Sequence, residues 1–202
     1  NGETKSIIVV DDGVGMDESV LKNSYLLVGK RKRSSKSPNE KSVSGLRHLM
    51  GRKGIGKLAP FGVAKQVDLI TVANKKATWL RFNYDEMLAS EDGPTAFSEY
   101  KPQAVVRNIP FDELPLTEVG GDEECLREFI RGIEAKGSGT LVRASLLTIR
   151  KKITPEALME SLGRRFTVTL ARPDFEVFVN GKKLEEVHAF PKWEVRYPES
   201  GK

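Results

Sequence analysis

Apolar residues along this chain recur with a period of two in some segments and of three to four in others. Residues 7–10 are four β-branched residues in succession, which is typical of a buried strand. Residues 67–74 and 77–84 alternate apolar and polar side chains around a short polar break at Lys75 and Lys76, which predicts an antiparallel hairpin. Further strands are predicted at residues 104–109 and 140–147.

Helical spacing marks three other segments. Residues 17–29 begin with acidic side chains and end at a glycine, and residues 123–134 are amphipathic. Thr154 and Pro155 are typical of an N-cap and a first helical position. Residues 166–170 and 175–184 are interpreted as closing strands, the second with a hairpin turn at Asn180-Gly181. These elements predict an α+β fold with a mixed, mainly antiparallel sheet and helices on one face.

Two carboxylates and two glycines follow the first strand, in the order Asp11-Asp12-Gly13-Val14-Gly15-Met16. Glycine permits positive φ and lets a ligand approach the backbone without a Cβ in the way. A carboxylate at the end of a strand only accepts hydrogen bonds, so it suits a ligand that presents donors, such as an exocyclic amine. A plain Asp-Gly turn is the alternative interpretation.

A second glycine-rich segment, residues 51–64, leads into apolar residues at helical spacing. Helix N-termini carry unpaired N–H groups and partial positive charge, so such a segment predicts a phosphate site, to which Lys53 and Lys57 add charge. The segment also fits most of a P-loop. However, Leu58 occupies the place of the Ser or Thr that binds Mg²⁺, and no long apolar strand precedes it, which excludes that motif.

A third segment, Gly-Ser-Gly-Thr-Leu-Val at residues 137–142, places a Gly-Thr pair before an apolar strand. With it, the sequence resembles the GHKL ATPases, the Bergerat-fold family of DNA gyrase B, heat-shock chaperone, mismatch-repair and Microrchidia-type ATPases and histidine kinases. Residues 11–16 resemble the adenine-binding D-x-G-x-G box, and residues 51–59 resemble the lid and phosphate box. Residues 137–142 resemble the late Gly-Thr box. The resemblance covers roughly residues 5–170.

The resemblance implies a two-layer sandwich that binds ATP or ADP with Mg²⁺. It implies an ATP-binding domain at residues 1–170 with a lid near 30–50, and residues 171–202 as an extension or the start of a next domain. Lid closure on ATP would drive a conformational change or homodimerisation of a larger protein. The nucleotide contacts it implies are Asp11, Gly13, Gly15, Met16, Gly29, Lys30, Gly51, Lys53, Gly54, Ile55, Gly56, Lys57 and Thr140.

The resemblance also implies where the residues for ATP hydrolysis would lie. In the family, a helix before the first strand carries a glutamate that activates water and an asparagine that holds Mg²⁺. Only residues 1–6 precede the strand in this sequence, so no catalytic residue or metal ligand is assigned and the expectation is a domain that begins part-way in. A nucleotide sensor that does not hydrolyse ATP, and a histidine kinase catalytic domain, are the alternatives.

The composition indicates the number of domains and argues against a disulfide-bonded or membrane-spanning protein. With 202 residues, 39% hydrophobic and 30% charged, the chain is expected to form one domain, or one and a fragment. The single cysteine, Cys125, excludes an internal disulfide and fits a reducing, cytoplasmic compartment, and no apolar run reaches a membrane-spanning length of ~20 residues.

The net charge of +5 includes a basic cluster within residues 30–36. That cluster has three interpretations: a nucleic-acid or nuclear-targeting patch, a solvated loop, or phosphate contact on lid closure. A pure nucleic-acid-binding domain is disfavoured, because aromatic and basic residues are not interleaved.

Overall fold

The computed structural model describes residues 5–27, 55–89, 100–120, 123–170 and 175–185. The chain divides into two compact units, Asn1–Arg150 and Lys151–Lys202. The strands are β1 (Ser6–Asp11), β2 (Ala64–Ala73), β3 (Lys76–Asn83), β4 (Gln103–Pro110), β5 (Gly139–Leu147), β6 (Phe178–Val179) and β7 (Lys182–Lys183). The α-helices are α1 (Glu18–Val20), α2 (Tyr84–Ala89), α3 (Leu116–Val119), α4 (Glu123–Lys136) and α5 (Pro155–Leu170). A π-helical turn (Leu21–Tyr25) and two 3-10 segments (Gly56–Gly62 and Phe111–Glu113) complete the elements.

The first unit is built on a five-stranded sheet in the order β1-β5-β2-β3-β4, with every neighbouring pair antiparallel. Alternation along the strands gives the sheet two apolar faces. On one, the α4 face, Phe129 and Ile133 of the helix pack with Ile70, Trp79 and Leu141. This arrangement confirms the predicted α+β fold with an antiparallel sheet.

On the other face, which we call the α1 face, Leu21 of the π-helical turn packs with Leu69 and Leu80. Met16 and Tyr25 lie against the same cluster. Helical segments therefore contact both faces of the sheet, whereas the sequence predicts them on one.

The first strand forms as predicted, but it is only partly buried. β1 lies at the edge of the sheet, and its apolar run is covered only where Ile8 and Val10 pack toward the α4 face. Val9 points the other way and is 60% exposed. A continuous β-branched run predicts a strand but not its place in the sheet, because an edge strand tolerates the same residues.

The predicted hairpin of β2 and β3 is confirmed, with Thr71 opposite Thr78 in its register. Its turn lies at Asn74 and Lys75, one residue before the predicted break, and both residues have positive φ, 53° and 60°. Positive φ at both central residues is what a two-residue hairpin turn of the favoured hand requires.

Two predicted helices are shorter or differently wound. The segment after the glycines begins at the Asp17 N-cap, whose carboxylate accepts a hydrogen bond from Val20 N at 2.8 Å, and changes to a π-helical turn at Leu21. The segment after Ile55 is a 3-10 helix with Pro60 inside it. Proline removes a backbone donor and disfavours α-helix, so the predicted apolar helical face does not form, and Ile55 is 53% exposed.

The second unit contains α5 and the β6–β7 hairpin. The Thr154 hydroxyl accepts a hydrogen bond from Ala157 N at 3.2 Å, which confirms the predicted N-cap, and Asn180 and Gly181 form the predicted turn with φ of 48° and 74°. Residues 166–170, interpreted as a strand, continue α5 instead. Local β propensity fails there because the preceding helical pattern, with Met159 packed on Val179, extends the helix. The domain boundary at residue 170 stays a prediction.

Across the described ranges, no helix is both long enough and apolar enough to cross a membrane.

Candidate functional site

Residues 12–16, which we call the glycine loop, connect β1 to α1 and are held at both ends. Gly13 N donates to the Asp11 carboxylate at 2.9 Å, and Met16 N donates to the Thr71 hydroxyl of β2 at 2.7 Å. Gly15 has a φ of +63°, and a Cβ at that position would lie 1.8 Å from the carbonyl oxygen of Val72. Only glycine fits this close approach, so the loop is pressed onto the end of β2.

One row of polar side chains crosses the sheet beneath this loop. In the strand register Asp11 lies opposite Thr140 of β5, and Thr140 lies opposite Thr71 of β2. Their positions alternate with Leu141 and Ile70, so all three belong to the α1 face. Thr140 is 8% exposed and Thr71 is 1% exposed. The fold therefore brings Asp11 and Thr140, two predicted contacts far apart in sequence, into adjacent positions.

Sequence reasoning missed Thr71. The alternation of side chains along β2 indicates that Thr71 lies on the same face as Leu69. That Thr71 lies beside Thr140, however, depends on which strand pairs with β2. Strand order is a long-range property that a single sequence does not display.

Asp12 lies on the opposite side of the sheet. Its carboxylate forms an ion pair with Lys136 of α4, and a Cβ placed on Gly132 of the same helix would meet the Asp12 Cβ at 3.7 Å. One turn further, the Ser138 hydroxyl donates to the Gly13 carbonyl oxygen at 2.9 Å. Helix α4 and its following turn thus hold the glycine loop from the α4 face.

A cleft of about 490 Å³ lies beside the glycine loop, lined by Val14 and Val20 together with Lys75, Lys136 and Ser138 among others. Asp11 and Thr140 do not line it. The cleft therefore borders the glycine loop without including the pair of Asp11 and Thr140.

Lys57, a predicted phosphate contact, lies against the π-helical turn. Its ammonium donates to the backbone carbonyl oxygens of Ser24, Tyr25 and Leu27, at 3.4 Å to the first and 2.6 Å to the last, and lies 5.5 Å from the centre of the Tyr25 ring. The carbonyl end of a helical turn carries partial negative charge, which favours a cation there. Burial raises the pKa of the Tyr25 phenol. Phosphate contact by Lys57 stays a prediction.

Ile55 and Gly56 open the 3-10 segment and are exposed. The lid at 30–50 and the basic cluster at 30–36 lie outside the described residues. So do the remaining predicted nucleotide contacts of these segments, which are Gly29, Lys30, Gly51, Lys53 and Gly54. Within the described ranges, no group of three or more His, Cys, Asp or Glu side chains could hold a metal ion.

Comparison with known proteins gives three findings. Residues 1–114 match the family described as histidine kinase-, DNA gyrase B-, and HSP90-like ATPase. The chain is 30% identical over 183 residues to a putative type II restriction enzyme HgiDII from Herpetosiphon aurantiacus, a match that covers 89% of this chain and 24% of the relative. Our chain thus spans about a quarter of the length of that protein.

A solved structure, the ATPase region of Saccharomyces cerevisiae topoisomerase II bound to ICRF-187 (dexrazoxane), aligns at 17% identity with a TM-score of 0.44. The alignment covers 91% of this chain and 42% of the yeast chain. The family match spans more than half of the sequence and includes β1, the glycine loop and the β2–β3 hairpin. The chain therefore belongs to the histidine kinase-, DNA gyrase B- and HSP90-like ATPase family.

Proposed function

We propose that this chain is the ATP- and ADP-binding module of a larger protein, with the adenine on the α1 face at Asp11. The observation that carries the proposal is the row of Asp11, Thr140 and Thr71 under the glycine loop. The Asp11 carboxylate would accept the exocyclic amine of adenine, and a buried threonine hydroxyl can donate to a ring nitrogen. Gly15, which has no Cβ, lets the loop pack directly on the end of β2 beside this row.

The base preference follows from the same carboxylate. Guanine presents a carbonyl oxygen where adenine presents its amine, so Asp11 would face another acceptor. A site built on this residue should therefore select adenine over guanine nucleotides.

The triphosphate would extend toward residues 51–57, with Lys53 and Gly54 as its predicted contacts. Residues 30–50 would close over it as a lid, and closure would favour homodimerisation of the intact protein. Mg²⁺ would arrive with the phosphates and shield their charge. Its protein ligands are not assigned, since no metal-binding cluster occurs among the residues that the structure describes.

ATP hydrolysis makes further demands on the site. Hydrolysis requires a general base positioned on the attacking water. Among the described residues, three carboxylates that flank the glycine loop in sequence have other tasks: Asp11 is assigned to adenine, Asp12 pairs with Lys136, and Asp17 caps α1. We propose that these 202 residues alone bind nucleotide weakly at best and turn it over no faster than background.

A DNA-related role for the intact protein is supported by the 30% identity to a putative type II restriction enzyme. The net charge of +5 and the basic cluster at residues 30–36 are compatible with a polyanion nearby. We propose that nucleotide binding by this module, in the cytoplasm, regulates an action on DNA carried out elsewhere in the larger protein.

Calorimetric titration of the intact protein with ATP, ADP and GTP tests the binding proposal. ATP and ADP should bind, and GTP should bind at least about tenfold more weakly, the cost of about 1.4 kcal/mol in one lost or opposed hydrogen bond. Equal affinity for GTP, or no binding of either adenine nucleotide, would overturn it.

Hydrogen exchange with a non-hydrolysable ATP analogue tests the lid. Residues 30–50 should gain protection when the analogue binds. Full protection already in the nucleotide-free protein would contradict lid closure.

A further inference from the structure

We infer that Thr71 is a positioning residue of the nucleotide site, whose hydroxyl fixes the glycine loop against the sheet so that Asp11 presents its carboxylate to the base. This inference rests on the proposed function of the loop. Thr71 is far from the sequence motifs along the chain, because Met16, its hydrogen-bond partner, is 55 residues away.

Thr71 contacts the glycine loop directly. Met16 N donates to the Thr71 hydroxyl at 2.7 Å, a short hydrogen bond in a site where Thr71 is 1% exposed. If the Met16 N–H lost this partner, water could not freely take the place of the hydroxyl. The loss of stability would then exceed the net contribution of a solvent-exposed hydrogen bond.

The glycine loop meets β2 at two consecutive residues. Gly15 lies against the carbonyl oxygen of Val72 with no room for a Cβ, and Met16 is bonded to Thr71. Contact at one residue would permit the loop to pivot, whereas contact at two fixes both its height and its direction.

The glycine loop is also hydrogen-bonded to the carboxylate that we propose binds the base. Gly13 N donates to the Asp11 carboxylate at 2.9 Å, so the rotation of that carboxylate depends on where the loop holds Gly13. Loosening the loop at Met16 would therefore blur the orientation of Asp11 and reduce its selectivity for adenine.

Thr71→Val is the direct test, because valine keeps the shape and the β propensity of threonine and removes only the hydroxyl. Met16 still packs on the Leu69 and Leu80 cluster, so the variant retains its apolar contacts. In the intact protein, ADP affinity measured by calorimetry should fall roughly three- to tenfold. The Met16 amide should lose protection from hydrogen exchange.

Thr78→Val is the matched control. Thr78 lies opposite Thr71 on β3, is 5% exposed, and its hydroxyl accepts a hydrogen bond from Asn108 N at 3.1 Å. This variant loses the same group in the same kind of place but leaves the glycine loop untouched. It should expose the Asn108 amide to exchange and leave ADP affinity within about twofold of wild type, the size of the smallest hydrogen-bond effects.

Coupling to Asp11 separates positioning from a loss of stability. In an Asp11→Asn background, Thr71→Val should cost less affinity than in the wild type, because the group that it positions has already been altered. Thr71→Ser, which keeps the hydroxyl, should retain near-wild-type affinity.

The outcomes are distinct. If the wild type binds no adenine nucleotide, the proposed function fails and takes this inference with it. If the wild type binds ADP and Asp11→Asn weakens it, but Thr71→Val binds normally or no worse than Thr78→Val, only the positioning role is overturned. If Thr71→Val does not fold, Thr71→Ser decides: a roughly tenfold loss of affinity despite the retained hydroxyl overturns the inference, and normal affinity with a protected Met16 amide supports it.

Discussion

Asp11 and Asp12 are neighbours in the sequence and lie on opposite faces of the same sheet. Asp11 stands opposite Thr140 in the row on the α1 face, and Asp12 pairs with Lys136 of α4 on the other face. The two carboxylates therefore cannot serve one ligand together. The alternation of a strand continues one residue past the end of β1 and decides which of them a ligand on the α1 face meets.

Asp11→Asn should weaken ATP and ADP binding roughly ten- to a hundredfold, the value of a hydrogen bond to a charged group. Asp12→Asn is the control, since its ion pair with Lys136 joins two exposed side chains and such pairs contribute little. Calorimetric titration of both variants, with circular dichroism to verify folding, makes the measurement. A larger loss of affinity in Asp12→Asn would reverse the assignment.

Gly15→Ala should destabilise the first unit. A methyl group there would meet the Val72 carbonyl oxygen at 1.8 Å and hold a positive φ that alanine disfavours. The expected cost is about 2–4 kcal/mol, or roughly 5–15 °C in Tm.

Gly62→Ala is the control for that substitution, because a methyl group on Gly62 would meet no neighbour within 4 Å and its φ is not positive. Its Tm should stay within about 2 °C of the wild type. Thermal unfolding of the two variants side by side is the measurement, and an equal fall in Tm would refute the close-contact argument.

The sequence predicts those features of the fold that depend on a few adjacent residues better than those that depend on distant ones. The β2–β3 hairpin and the Asn180-Gly181 turn followed from alternation and from residues that adopt positive φ, which are properties of a few adjacent positions. The edge position of β1 and the exposure of Val9 did not, because strand order depends on contacts between residues far apart in the chain, such as Val9 and Val142.

The candidate site divides in the same way. Asp11, Gly15 and Thr140 belong to glycine-marked segments that could be recognised one by one, and the register then brings Asp11 and Thr140 together. Thr71 carries no motif and became visible only through its bond to Met16. The ammonium of Lys57 donates to carbonyl groups of the π-helical turn and of Leu27, contacts between distant segments that the glycine-rich sequence pattern does not display.

Alkaline conditions should reveal the burial of Tyr25. Burial raises its pKa above the ordinary value of 10.0 in the folded chain, so above that pH the unfolded chain releases the phenol proton while the folded chain retains it. Stability from this group is therefore complete below the unfolded pKa and declines as the pH rises toward and through the folded pKa. Tyr25→Phe should remove that part of the decline.

Chemical denaturation of the wild type and Tyr25→Phe between about pH 9 and 11, a range that spans the ordinary tyrosine pKa, is the measurement. Tyr84→Phe, at a partly exposed tyrosine that stacks on Phe61, is a control for the loss of a hydroxyl. An identical pH dependence in wild type and Tyr25→Phe would contradict the assignment.

Asp68 of β2 carries a buried carboxylate. It is 0% exposed and accepts hydrogen bonds from Trp79 Nε1 at 2.9 Å, Arg81 Nε at 2.7 Å and Gln66 Nε2 at 3.2 Å. A carboxylate out of contact with water depends on these partners, and Arg81 is the cation among them. Arg81 also stacks 5.2 Å from the Trp79 ring, which fixes its guanidinium.

Arg81→Met should therefore lower the free energy of unfolding by about 2–4 kcal/mol, less than the full cost of an unpaired buried charge because Trp79 and Gln66 still donate. Lys65→Met breaks the exposed ion pair with Asp85 and should cost less than about 1 kcal/mol. Urea unfolding of both variants compares them directly. If Asp68→Asn in the Arg81→Met background restores stability, the cost lies in the unpaired charge; if both single variants lose the same small amount, Asp68 does not depend on Arg81.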